Sequence, residues 1–264
     1  MRPLLTIFCT AILTMSSLAQ ADEAGLITFG FNDASAYPYL AGTGTELASP
    51  PGLSVELVQY VADRLDLPIR FERQPGMRVL HSLRVGKLDG AFLFSYRKAR
   101  EEFGVYPMSD GKPDANQRLA TLGYTLYKRP KTRINWDGKK FTGFTGRIAA
   151  NLNYSIVADL RKLGITVTEG RSTAQSFRML FADRVDAVAD QETIADSYLT
   201  TIDHPMLEKV TPPLSKKAYF LLFSHQFMHE HADIARQFWS EIARTRDRFT
   251  DRIAYRYANG SPAD

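Results

Sequence analysis

The spacing of hydrophobic positions changes repeatedly along the chain, and the changes mark out its elements. Leu26 to Phe31 is a short apolar run that predicts a strand, closed by Asn32-Asp33 and followed by a polar loop with Gly and Pro from Ala34 to Gly52. Leu53, Leu57, Val58, Val61, Ala62 and Leu65 then recur at helical spacing. A strand at Ile69 to Glu72, a helix carrying Met77, Leu80 and Leu83, and a strand from Leu88 to Ser95 complete a βαβαβ order. That order calls for a parallel sheet covered by helices.

A related order returns at Tyr154 to Leu163 (helix), Ile165 to Thr168 (strand), Ala174 to Ala182 (helix) and Val185 to Ala189 (strand). Leu83 precedes Asp89 by six residues and Leu180 precedes Asp186 by six, at an offset of 97 residues. This is too long for a solenoid period and implies two similar lobes. Leu119 to Tyr127 and Ala218 to Ser224 read as extended strands crossing between the halves, and the segment from Ile234 to Tyr257 reads as helix packing back on the first. The expected division is residues 22–118 with 225–264 for lobe 1, and 119–224, including both crossing strands, for lobe 2.

Arg2, the apolar run Leu4 to Met15 and the small residues of Leu18-Ala19-Gln20-Ala21 form a secretory signal peptide at 1–21, with cleavage after Ala21. The run is shorter than the roughly 20 residues a membrane span needs, so the expectation is an exported chain without stable membrane insertion. Cys9, the single cysteine, lies in that leader, which leaves the mature part without thiol chemistry. A 44% hydrophobic and 23% charged composition is that of an ordinary globular protein. Loss of Arg2 with the leader leaves 32 basic residues against 29 acidic ones, spread without a basic run, so no nucleic-acid partner is expected.

Several segments carry a family likeness. They are Tyr37-Pro38-Tyr39, Gly52-Leu53-Ser54-Val55-Glu56-Leu57, Arg78 within Pro75 to Leu80, Gly86-Lys87-Leu88-Asp89, Arg100 before Tyr106-Pro107, and Asp183-Arg184-Val185-Asp186-Ala187-Val188 with Asp190 after it. In this order and spacing the chain resembles the family 3 periplasmic solute-binding proteins, receptors for polar amino-acid ABC transporters. The resemblance implies an α/β, two-lobed type II periplasmic-binding fold, each lobe a mostly parallel sheet flanked by helices, with two crossing strands. It also implies a periplasmic, monomeric, non-enzymatic receptor with a small polar ligand, a permease partner and no cofactor. Two departures touch the ligand's carboxylate cradle. The family's Thr-x-x-Arg is here Arg97-Lys98-Ala99-Arg100, and its Gly-Thr or Gly-Ser turn is Asn151-Leu152-Asn153.

Ligands of such sheets sit beyond the carboxyl ends of the strands. Arg100, after the strand ending at Ser95, can grip a carboxylate with two parallel hydrogen bonds, and Arg97 and Arg78 compete for that role. Tyr37 and Tyr39 can cover an apolar ligand or pack in the core. Ser95 can bond a ligand oxygen or its own backbone. Asn153 and Tyr154 open a helix whose N–H groups favour an anion, with Asn153 also readable as its N-cap. Asp190 can pair with an ammonium. Asp89 and Asp186 read as structural.

Two Ser-x-x-Lys matches, Ser95 to Lys98 and Ser109 to Lys112, lack the companion motifs of serine acylases. His225, His229 and His231 with Glu230 tempt a metal reading, but they lie in a connection away from the expected cleft, and no metal is expected. Two alternatives remain: a ligand-sensing or interaction protein on the same fold, and a dehydratase-like enzyme with Glu56 or Asp190 as general base.

Overall fold

Eight strands form one continuous sheet in a computed structural model that describes residues 25–258; the leader lies outside the described residues. In the first half β1 (Ile27–Asn32), β2 (Ile69–Gln74) and β3 (Gly90–Ser95) are parallel, with β1 in the middle. Helices α1 (Leu53–Arg64) and α2 (Gly76–Arg84) connect them. β4 (Ala120–Lys128) crosses to the second half, built from β5 (Arg147–Asn151), β6 (Thr166–Gly170) and β7 (Ala187–Gln191), again parallel. Helices α3 (Ser155–Lys162), α4 (Thr173–Phe181) and α5 (Glu192–Leu199) belong to this half. β8 (Glu208–Phe223) crosses back, antiparallel to β4 and β3, so the order is β6-β5-β7-β4-β8-β3-β1-β2.

The duplication expected from the sequence repeats atom for atom at its turns. The Asp89 carboxylate accepts from the backbone N–H of Thr28 at 2.7 Å, and Asp186 does the same for Arg147 at 2.7 Å. Each aspartate thus ties the entrance of its strand to the neighbouring parallel strand. Gly86 holds the left-handed turn before Asp89 (φ 72°), and Asp183 takes the equivalent place (φ 57°), stabilised there by Arg129. Leu83 and Leu180 fill the same core position in the two halves.

The chain ends with α6 (His225–Glu230) and α7 (Ala232–Ile253). α7 turns Ala235, Phe238, Trp239, Ile242 and Phe249 inward, and Phe249 stacks on Tyr60 of α1 at 4.3 Å. Burying each large side chain of this face contributes about 1.5–3 kcal/mol, which holds the C-terminal helix on the first half. α1 begins at Gly52, whose φ of 116° and close approach to the Tyr39 carbonyl admit no side chain. The two tryptophans fasten the long strand at separate points: Trp136 donates to the Pro212 carbonyl at 3.0 Å, and Trp239 to the Leu221 carbonyl at 2.9 Å.

Three elements differ from the sequence reading. β5 is Arg-Ile-Ala-Ala-Asn, and its small residues give little apolar signal although four of the five are buried. α5 follows β7 with Ile194 and Ala195 as its buried residues. β8 starts ten residues before Ala218, because Glu208 to Lys217, mostly polar with two prolines, is held by pairing with β4 and not by an alternating face. No helix among the described residues is long and apolar enough to cross a membrane.

Candidate functional site

The carboxyl ends of β1 and β3 face those of β5 and β7 across a cavity of about 470 Å³. Its floor is laid by the crossing strands. Tyr124 of β4 and Tyr219 of β8 bring their hydroxyls to 2.8 Å, and the Gln191 amide donates to Tyr219 at 2.5 Å and to Tyr124 at 3.2 Å. All three side chains are buried, and burial pushes both phenol pKa values upward. The floor is therefore neutral and hydrogen-bonded, and it joins both halves.

On the first half, β3 carries a bulge. Ser95 pairs with Tyr219 and Phe94 with Phe220, but Phe92 pairs with Leu221, so Leu93 is the extra residue, at φ 65°. The bulge re-aims the strand end, and Leu93, Phe94 and Ser95 all reach the cavity. The Arg100 guanidinium donates to the Ser95 carbonyl at 2.7 Å and to its hydroxyl at 3.1 Å, and crosses to the Asn153 carbonyl at 3.2 Å. The Tyr106 hydroxyl adds a second bond to the Ser95 carbonyl at 3.0 Å. Arg73, buried on β2, donates to the carbonyls of Asp33, Gly42 and Glu46, which shapes the loop whose start lines the cavity.

The second half contributes a buried polar cluster. Asn151 donates to Thr173 Oγ1 (3.1 Å) and Asp190 Oδ2 (3.3 Å), and accepts from Ser176 (3.1 Å). Thr173 donates to Asp190 Oδ2 at 2.7 Å, and the Gln191 N–H to Asp190 Oδ1 at 2.7 Å. Burial nevertheless outweighs these three donors and pushes the Asp190 carboxyl up to about 6. Ser172 caps α4 by accepting from Gln175 N–H, while α2 and α3 begin at the cavity without side-chain caps. Their first N–H groups favour negative charge.

Arg100, Ser95, Asn153 and Tyr154 are brought together on the cavity lining. Asn153 is not the N-cap: it stands one residue earlier at φ 64°, and Tyr154 occupies the cap position. Asp190 lies behind Asn151 and Thr173, 1% exposed, off the lining. Tyr37 lies elsewhere, buried with its hydroxyl on the Tyr257 carbonyl at 2.9 Å. Tyr39 lines a separate crevice with Arg118 and Arg246, and Arg78 is exposed on α2 outside the cavity. Glu56 is taken up by Arg256 and Tyr257, also away from the cavity. Sequence reasoning missed Tyr124, Tyr219, Gln191, Arg171 and Thr173. The Ser172-x-x-Gln175 capping signature was the signal that marked the last two.

Among the described residues, no group of three or more His, Cys, Asp or Glu side chains is placed to hold a metal ion. His225 contacts the Glu101 carbonyl at 2.9 Å, and His231 packs against Phe227.

No protein-family model and no curated protein sequence matches the chain. Solved structures do. An ancestral arginine-binding protein bound to arginine superposes with a TM-score of 0.67 at 14% identity, over 90% of this chain and 100% of that one. The GluR0 ligand-binding core from Nostoc punctiforme in complex with L-glutamate gives 0.67 at 14% identity, over 89% and 100%. A histidine kinase sensor domain similar to periplasmic binding proteins gives 0.67 at 15% identity, over 91% and 100%. The chain has the two-lobed type II periplasmic-binding fold of the family 3 solute-binding proteins.

Proposed function

We propose that the protein is a periplasmic receptor that captures a small polar solute, an amino acid or a relative of one, between its lobes and delivers it to an ABC-type permease. The observation that carries this reading is the cavity at the facing strand ends, where Arg100, Ser95, Asn153, Tyr154 and two uncapped helix starts converge. Its volume suits an amino-acid-sized ligand. A ligand held by residues of both lobes binds the closed form better and shifts the population toward it. Lobe 1 is residues 22–118 with 225–264, and lobe 2 is residues 119–224. Bonds from Arg246 of α7 to the carbonyls of Asn116 and Arg118, at 2.9 and 2.8 Å, support this division.

A non-catalytic role is supported by the state of the two candidate bases: Glu56 is consumed by an ion pair, and Asp190 is sealed from the cavity. The likeness to the arginine-binding and glutamate-binding proteins supports a ligand with an ionised group, and that to the sensor domain supports a sensing role as the second reading. A thermal-shift screen of the mature protein against amino acids, polyamines and small carboxylates tests binding, because a ligand at about 100 times its Kd adds roughly 2.7 kcal/mol. No shift across the panel overturns the receptor reading. A permease that copurifies with the ligand-loaded protein favours delivery, and a copurifying kinase favours sensing.

A further inference from the structure

We infer that the cleft selects a carboxylate with an apolar body and no ammonium group. The inference rests on the reading of the cavity as the ligand site and narrows what enters it. Around the cavity the donors left free outnumber the acceptors left free.

An ammonium needs about three acceptors; of the strong ones, only the Asp33 carboxylate and the Gln191 side-chain oxygen are open on the lining, and the others are already in use. The Ser95 carbonyl accepts from both Arg100 and Tyr106. The Asn153 carbonyl accepts from Arg100. Both oxygens of Asp190 are occupied, by Thr173 and Asn151 on one side and the Gln191 N–H on the other, and the side chain lies behind the lining. For Asp190 to reach a ligand, the Thr173 hydroxyl would have to give up its 2.7 Å bond and turn away. Desolvating an ammonium without such partners is strongly unfavourable.

Donors, by contrast, are left over. Arg171 lines the cavity, and among the described residues its guanidinium has no protein acceptor. The starts of α2 and α3 present backbone N–H groups that no side chain caps. Asp33 is the one carboxylate on the lining, against the two guanidiniums of Arg100 and Arg171. The remaining wall is apolar, with Met77, Leu80, Phe92 and Phe94 on one side and the Tyr124 and Tyr154 rings opposite. Such a wall suits the body of an aromatic or branched carboxylate, which an oxygen-rich solute would not fill.

The test is isothermal titration of the mature protein with matched pairs: 3-phenylpropanoate against L-phenylalanine, and 4-methylpentanoate against L-leucine. The expected result is at least tenfold tighter binding of the amine-free member. Arg171→Gln should weaken that member about tenfold, while Asp190→Asn should leave it within about threefold. If the amino acids bind as tightly or more tightly, and lose that binding in Asp190→Asn or Asp33→Asn, the inference is overturned and the receptor reading stands. Silence of both members of every pair, together with silence of the wider thermal-shift panel, removes the receptor reading itself. Circular dichroism of each variant separates lost binding from lost folding.

Discussion

The carboxyl of Asp190 makes a prediction that depends on the fold and not on any ligand. Its folded pKa is raised to about 6, above an ordinary value of 3.8, because burial outweighs three hydrogen bonds. A raised carboxyl pKa means that the folded state binds the proton more tightly than the unfolded chain. The resulting stability is fully present below about pH 4 and is lost as pH rises through about 6. At about 1.4 kcal/mol per pKa unit, the swing is about 3 kcal/mol, or a Tm change of roughly 6–12 °C for a chain of this size. Asp190→Asn removes the titration. It also costs about 1 kcal/mol at every pH, because the amide cannot accept from all of Thr173, Asn151 and Gln191. The quantity to measure is therefore the difference in urea unfolding free energy between wild type and Asp190→Asn, followed from pH 4 to 7.5. Histidines and exposed carboxylates cancel in that difference. Wild type should gain on the variant as pH falls, by about 2.5 kcal/mol over the range. A difference that stays flat within about 0.5 kcal/mol would refute the reasoning and place the native carboxyl near its ordinary range.

Other substitutions test the parts that shape the cavity. Arg73→Met withdraws a buried cation from three loop carbonyls at 2.6 to 3.2 Å and should cost about 3 kcal/mol in urea denaturation, with water recovering part of the loss; under 1 kcal/mol would mean the loop holds itself. Gly52→Ala places a Cβ 2.4 Å from the Tyr39 carbonyl oxygen at φ 116° and should destabilise by at least about 3 kcal/mol, read as a fall in Tm; a mild effect would show that the chain can rotate there. Tyr219→Phe takes from Gln191 the nearer of its two hydroxyl acceptors and should cost about 1–3 kcal/mol. Combining it with Tyr124→Phe should cost less than the sum, and strict additivity would show that the two hydroxyls are not coupled.

Much of the fold was legible because its periodicities are strong: α1, α2 and α4 bury most of the apolar positions their spacing marks, Met77 of α2 being exposed, and Asp89 and Asp186 mark the repeat. β5 escaped because two of its buried residues are alanines, and the first part of β8 because its partner strand, not its own pattern, holds it. The site was legible in part. Arg100, Ser95, Asn153 and Tyr154 follow or precede recognisable elements, so the rule of strand ends finds them. Tyr37 and Tyr39 satisfy the same rule and yet turn toward the C-terminal segment and a side crevice, since a loop of this length sets its side chains by contacts distant in sequence. Tyr124, Tyr219 and Gln191 are met only when two crossing strands lie side by side, a juxtaposition that no single stretch of sequence encodes.

The two indole bonds to β8 have a mechanical meaning. Trp136 clamps the strand at Pro212 to structure of the second lobe, and Trp239 clamps it at Leu221 to the first. A rod gripped at two points can yield only in the span between them. Any rotation of one lobe against the other would be taken up as torsion over that span, which carries Lys217, bonded to Ser155 at the start of α3, and Tyr219 on the cavity floor. On the receptor reading proposed above, a ligand touching Tyr219 would meet the same stretch of chain that twists, so occupancy and lobe angle would be coupled without a separate relay.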